Sequence, residues 1–135
     1  MTESGGGFLI EPARFPGRAP IEAYGNGGFR FADMSHRGSI LALPSAIEAW
    51  AVASAAEITP EAFGRLIAEA KAIDILLIGM GEAMIPLPRA SRVALEAAGL
   101  YPELMSTGAA VRTYNVLLSE ERAVAAALVA VESNR

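Results

Sequence analysis

One turn and one helix start hold most of the residues that could do chemistry here. Gly79-Met80-Gly81 follows an apolar run, with Glu82 next. Glycines at the end of a buried strand let backbone approach an anion, and open α/β sheets bind ligands at strand carboxyl ends. A dinucleotide fingerprint would need a glycine at position 84, where Met84 stands, and no phosphate-loop lysine follows. A lone Gly-x-Gly is more often a tight turn with close packing. Farther on, Ser106 or Thr107 caps a helix whose first N–H groups lack helical partners. Arg112 and Asn115 lie three apart and share a side of it. An arginine near such donors suits a carboxylate. The ligand-binding candidates are therefore Gly79, Gly81, Thr107, Arg112 and Asn115. The plainer account pairs Arg112 with an acid, packs Tyr114 in the core and has Asn115 cap local backbone.

Other constellations are thinner. His36 beside Asp33 and Ser35 invites a Ser-His-Asp reading, but no Gly-x-Ser-x-Gly elbow occurs and an exposed loop histidine is expected. Glu120-Glu121 reads as an ordinary acidic pair at a helix end. Trp50 with Phe29 and Phe31 suggests an apolar patch, or more simply core. With no cysteine and one histidine, no metal centre and no thiol chemistry are expected. No catalytic residue can be named. General acid–base work would fall to Glu82 or Tyr114, neither with visible support. No cofactor is expected.

Composition bounds the partners. The chain has 135 residues, 53% hydrophobic and 19% charged, with 11 basic and 15 acidic side chains for a net charge of −4. That excludes disorder over most of its length. It also disfavours nucleic acid, which needs clustered Lys and Arg. The apolar runs at 75–80 and 123–131 are too short to span a bilayer, and no secretory leader is apparent, so a cytoplasmic protein without membrane insertion is expected. Sparse charge leaves apolar surface exposed, which favours self-association or a protein partner.

These residues must be positioned by particular elements. Residues 1–17, with Gly5-Gly6-Gly7, read as a flexible tail, and 18–135 as one domain. Residues 21–24 and 29–31 flank Gly25-Asn26-Gly27-Gly28 as a hairpin. Residues 33–38 read as a loop, 39–43 as a strand, and 47–52 as a strand with helix as the rival. Thr59-Pro60-Glu61 starts a helix reaching residue 72, carrying Phe63, Leu66, Ile67 and Ala70 on one stripe. A covered strand follows at 73–78. The next helix, 89–98, is expected to bury Ala90, Val93, Ala94 and Ala97, with Gly99 at its end. A strand at 101–105 leads to the third helix, whose inner face holds Ala110, Val111, Tyr114, Leu117 and Leu118. Residues 123–131 read as a strand, with helix as an alternative. The alternation in the second half implies crossover units and a mostly parallel sheet.

The ordered segments Tyr24-Gly25-Asn26-Gly27-Gly28-Phe29-Arg30-Phe31, His36-Arg37-Gly38-Ser39-Ile40, Trp50, Ile73-Asp74-Ile75-Leu76-Leu77-Ile78-Gly79-Met80-Gly81, Met105-Ser106-Thr107 and Arg112-Thr113-Tyr114-Asn115-Val116-Leu117 together resemble the Mth938-like family, from about residue 18 to 131. The family turn more often reads Gly-Thr-Gly, so Met80 departs from it. The resemblance implies a three-layer α/β fold: a central mixed, mostly parallel sheet, helices, and a small β layer from the hairpin. Mitochondrial members of the family include complex I assembly factor 3. The resemblance therefore implies a non-catalytic interaction or assembly protein of bacterial type. A small anionic-ligand binding protein or enzyme, using the hollow between the Gly79–Gly81 turn and the Thr107 helix start, is the alternative.

Overall fold

The computed structural model describes residues 14–82 and 85–134. Its central layer is a six-stranded mixed sheet built from β1 (Arg14–Pro16), β5 (Ile40–Ala42), β6 (Ala46–Ala49), β7 (Ile75–Gly79), β8 (Glu103–Met105) and β9 (Val124–Leu128) in the order β1-β6-β5-β9-β7-β8. The parallel pairs are β9–β7 and β7–β8; β1–β6, β6–β5 and β5–β9 are antiparallel. A second sheet orders β2 (Ile21–Gly25), β3 (Gly28–Phe31) and β4 (Met34–Arg37) as an antiparallel meander.

Strand alternation builds two cores, one on each face of the central sheet. In β9, Ala125 and Ala127 face one cluster with Trp50, Phe63, Leu66, Leu76, Ile78 and Leu95. Val124, Ala126 and Leu128 face the other with Phe29, Phe31, Ile40, Leu77, Ala110 and Tyr114. The small alanines of β9 leave room for larger side chains from both outer layers. One outer layer holds α1 (Gly64–Ala68), its flanking 3₁₀ turns and α2 (Arg89–Ala97). The other holds the small sheet and α3 (Thr107–Ser119). Among the described residues, no helix is long and apolar enough to cross a membrane.

Several expectations need correction. Residues 34–37 are not a loop but the third strand of the small layer, and they pair with Gly28–Phe31 throughout. The helix expected from residue 60 to 72 is broken into a 3₁₀ turn (Pro60–Phe63), α1 and a second 3₁₀ turn (Ala70–Ala72). Of the stretch read as a tail, residues 1–13 lie outside the described residues, while Arg14–Pro16 pairs with β6 at the edge of the sheet. Trp50 does not join Phe29 and Phe31. It lies across the sheet from them and meets Phe63 with ring centroids 5.7 Å apart.

Helix α2 is rotated from the expected orientation. Ser91 and Leu95 are fully buried, whereas Ala90, Val93 and Ala97 are exposed and Ala94 is half-buried. Its end is as read: Gly99, with φ +83°, donates to the Glu96 carbonyl, and Leu100 donates to the Leu95 carbonyl. Leu100 is thereby drawn inward beside Leu95, which fixes the buried face on that side. In α3 the expected inner face is present. Ala110, Val111 and Tyr114 are buried, and Leu117 and Leu118 pack partly against them.

Candidate functional site

The Gly79–Gly81 bend and the start of α3 do meet. Thr107 N–H donates to the Gly81 carbonyl at 2.8 Å, and Gly81 N–H donates to the Thr107 hydroxyl at 3.0 Å. That hydroxyl donates in turn to the Val129 carbonyl at 2.6 Å, and Val129 N–H donates to the Gly79 carbonyl at 2.9 Å. The ring stitches the ends of β7 and β9 to the first residue of α3. A Cβ on Gly79 would lie 2.9 Å from Thr107 Cα, so this glycine permits the helix start to sit against the strand. Thr107 is fully buried, and both its hydroxyl and its N–H are engaged within the fold.

Asn115 is likewise committed. Its Oδ1 accepts from Ile21 N–H at 2.8 Å, and its Nδ2 donates to the Ile21 carbonyl at 2.9 Å. The carboxamide copies a neighbouring strand and ties β2 to α3. Arg112 takes a different path: its Nη1 lies 3.4 Å from the Tyr24 hydroxyl, on the exposed side of the helix. Gly79, Gly81 and Thr107 are therefore brought together, with Gly79 and Thr107 serving the construction of the bend, while Arg112 and Asn115 bond separately to Tyr24 and Ile21 of β2.

Beside them is a crevice of about 120 Å³, lined by Tyr24, Gly81, Glu82, Ser106, Gly108, Val131 and Ser133. Ser106 caps α3, accepting from Ala109 N–H at 3.2 Å. Tyr24 was not singled out from the sequence. It stands opposite Phe29, on the side turned to α3, because a register shift between Ile21 and Ala23 breaks the alternation of β2, so period two does not find it. A wider hollow of about 460 Å³ runs along the small sheet past Arg30, Ser35 and Arg37. There Arg30 is already matched by Glu22 at 3.4 Å and Asp33 at 4.0 Å.

The remaining candidates separate. His36 stands opposite Phe29 and is buried rather than exposed, with its Nε2 3.3 Å from the Ser39 carbonyl. Ser35 points the other way, to Arg30, and Asp33 is almost fully exposed, so no triad forms. Tyr114 is fully buried and its hydroxyl has no hydrogen-bond partner. Burial pushes its pKa up, and the nearby Arg18 guanidinium opposes that. A phenol so placed has no route to a substrate. Glu120 and Glu121 are exposed beyond α3. Among the described residues, no group of three or more His, Cys, Asp or Glu side chains could hold a metal ion.

Burial lowers the His36 pKa below 6.5, with the Ser39 carbonyl opposing. As pH falls past 6.5, the unfolded chain takes up the proton before the folded one does, so stability should decline from there down through the folded-state pKa. His36→Phe should flatten that slope. Urea unfolding at about pH 7.5 and about pH 5.5 checks it, and an unchanged slope in the variant would assign the effect elsewhere.

The comparisons with known proteins fit this architecture. A family model described as protein of unknown function (DUF498/DUF598) matches residues 21–129. An uncharacterized protein of Rhodobacter capsulatus is 44% identical over 115 residues, 85% of this chain and 87% of that one. NADH dehydrogenase (ubiquinone) 1 alpha subcomplex assembly factor 3 of Mus musculus is 29% identical over 117 residues, 87% of this chain but only 63% of that protein's length. Among solved structures, one described as an outer membrane protein of Bartonella henselae has a TM-score of 0.83 at 56% identity, covering 87% of this chain and 99% of that one. A Mth938-like domain of Bordetella pertussis has a TM-score of 0.74 at 25% identity, covering 94% of each.

Proposed function

We propose, from the premise that this chain belongs to the DUF498/DUF598 family and has the Mth938-like fold, that it is a non-catalytic interaction protein of the assembly-factor kind. The observation that carries the reading is the outward stripe of α2. Ala90, Val93 and Ala97 follow helical spacing yet face solvent, Val93 at 51% exposure, and Tyr101 just beyond is 70% exposed. Apolar groups left out of the core in this way suit a protein partner. The likeness to the mitochondrial assembly factors supports the same reading. The alternative of a small anionic ligand has less support, because Gly79, Thr107 and Asn115 are engaged within the fold and Glu82 places a carboxylate in the crevice.

Val93→Glu and Tyr101→Glu should each leave stability within about 0.5 kcal/mol, since neither side chain is buried. Each should reduce capture of the partner from cross-linked host cells by about tenfold or more. Equal capture by the variants and the parent overturns the reading. A cytoplasmic location belongs to the same proposal, and recovery in the membrane pellet on fractionation would oppose it.

A further inference from the structure

Among the described residues, five hydrogen bonds from three parts of the fold converge on residues 131–134, the stretch after β9. The Glu82 carboxylate, beyond the end of β7, accepts through Oε2 from the N–H groups of Glu132 and Ser133, both at 3.2 Å. The β2–β3 turn donates in the other direction, Asn26 N–H to the Glu132 carbonyl and Gly27 N–H to the Val131 carbonyl, each at 2.9 Å. The Tyr24 hydroxyl donates to the Asn134 carbonyl at 3.2 Å. Val131 and Ser133 form one wall of the crevice whose other walls are Gly81, Ser106 and Gly108.

Apolar burial contributes little to this arrangement. Val131 is buried, but Ser133 is only half-buried and Glu132 and Asn134 are exposed. A segment held by surface hydrogen bonds and one apolar anchor opens at far lower free energy than the strands of a core. The bonds also act on the same residues from both sides. Glu132 gives its N–H to Glu82 and its carbonyl to Asn26, so loosening one side loosens the other.

We propose that residues 131–134 are a strap that opens and closes as one unit over the crevice at the start of α3, with the Glu82 carboxylate as its latch and the Asn26-Gly27 turn as its far anchor. Closed, it walls the crevice beside buried Gly81 and half-buried Ser106 and Gly108. Open, it admits solvent to them and releases the two turn N–H groups. The proposal does not rest on the partner-binding reading.

Amide hydrogen exchange on the full chain tests it. Glu82→Ala should speed exchange at Glu132 and Ser133, and at Asn26 and Gly27 as well, by at least about tenfold, the factor set by losing charge-assisted hydrogen bonds. Amides of β7 and β9 should be unchanged. Asn26 and Gly27 donate to the strap and not to Glu82, so only a coupled opening moves them. Tyr24→Phe, which removes the Asn134 anchor together with the exposed Arg112 contact and leaves Glu82 in place, should give a smaller rise at the same amides. Acceleration confined to Glu132 and Ser133 overturns the proposal. So does an equal rise across the central strands, which would report loosening of the whole fold.

Discussion

Asn115→Ala is expected to lower the free energy of unfolding by about 2–4 kcal/mol, the sum for leaving a part-buried N–H and carbonyl without partners. Both belong to Ile21, the first residue of β2, and both are held by the one carboxamide. The small sheet is otherwise attached by the apolar packing of Ile21, Phe29 and Phe31 on α3 and the central sheet, and at its far end by the bonds of Tyr24, Asn26 and Gly27 to residues 131–134. Urea unfolding gives the magnitude. Asn115→Asp is the sharper comparison: it keeps the acceptor for Ile21 N–H but turns a second acceptor toward the Ile21 carbonyl, and should be no better than alanine. A loss below about 0.5 kcal/mol in both variants would mean that water replaces the clamp.

Gly28→Ala should be at least as damaging, by about 3 kcal/mol or more, the upper end of overpacking losses. The added Cβ would fall 2.2 Å from the His36 carbonyl oxygen and 3.2 Å from Arg37 Cα. Both obstacles are backbone of the paired strand β4, so no rotamer change relieves them. The strands must part, and the burial of His36 is lost with them. Gly64→Ala is the control, since a Cβ there has open space and lies in α1. It should be neutral or slightly stabilising by a few tenths of a kcal/mol. Equal loss from the two substitutions would contradict the steric account.

These two residues show what the sequence discloses and what it withholds. The Gly25–Gly28 cluster reads plainly as a hairpin, because positive-φ turns have a compositional signature. The third strand beside it does not, because Met34-Ser35-His36-Arg37 alternates without strong apolar residues and is a strand only through pairing with β3. Helix α2 fails for a related reason. Its alanines and Val93 form the more apolar stripe on paper, yet Leu95 and the inward turn at Leu100 decide which side is buried, and Ser91 follows them in with its hydroxyl unpartnered. The meeting of the Gly81 bend with Thr107 was legible from the order of elements. That the meeting is sealed by Thr107, across 26 residues of chain, and that Asn115 serves β2, across 94, depends on contacts that no local pattern records.

The central position of β9 sets the order in which this molecule can be made. It pairs with β5 on one side and β7 on the other, joining an antiparallel half to a parallel half. Until residue 128 has left the ribosome, β5 and β7 each lack a partner along one edge. Completing the central sheet therefore waits on β9, a long-range closure that slows folding relative to a protein built from neighbouring hairpins.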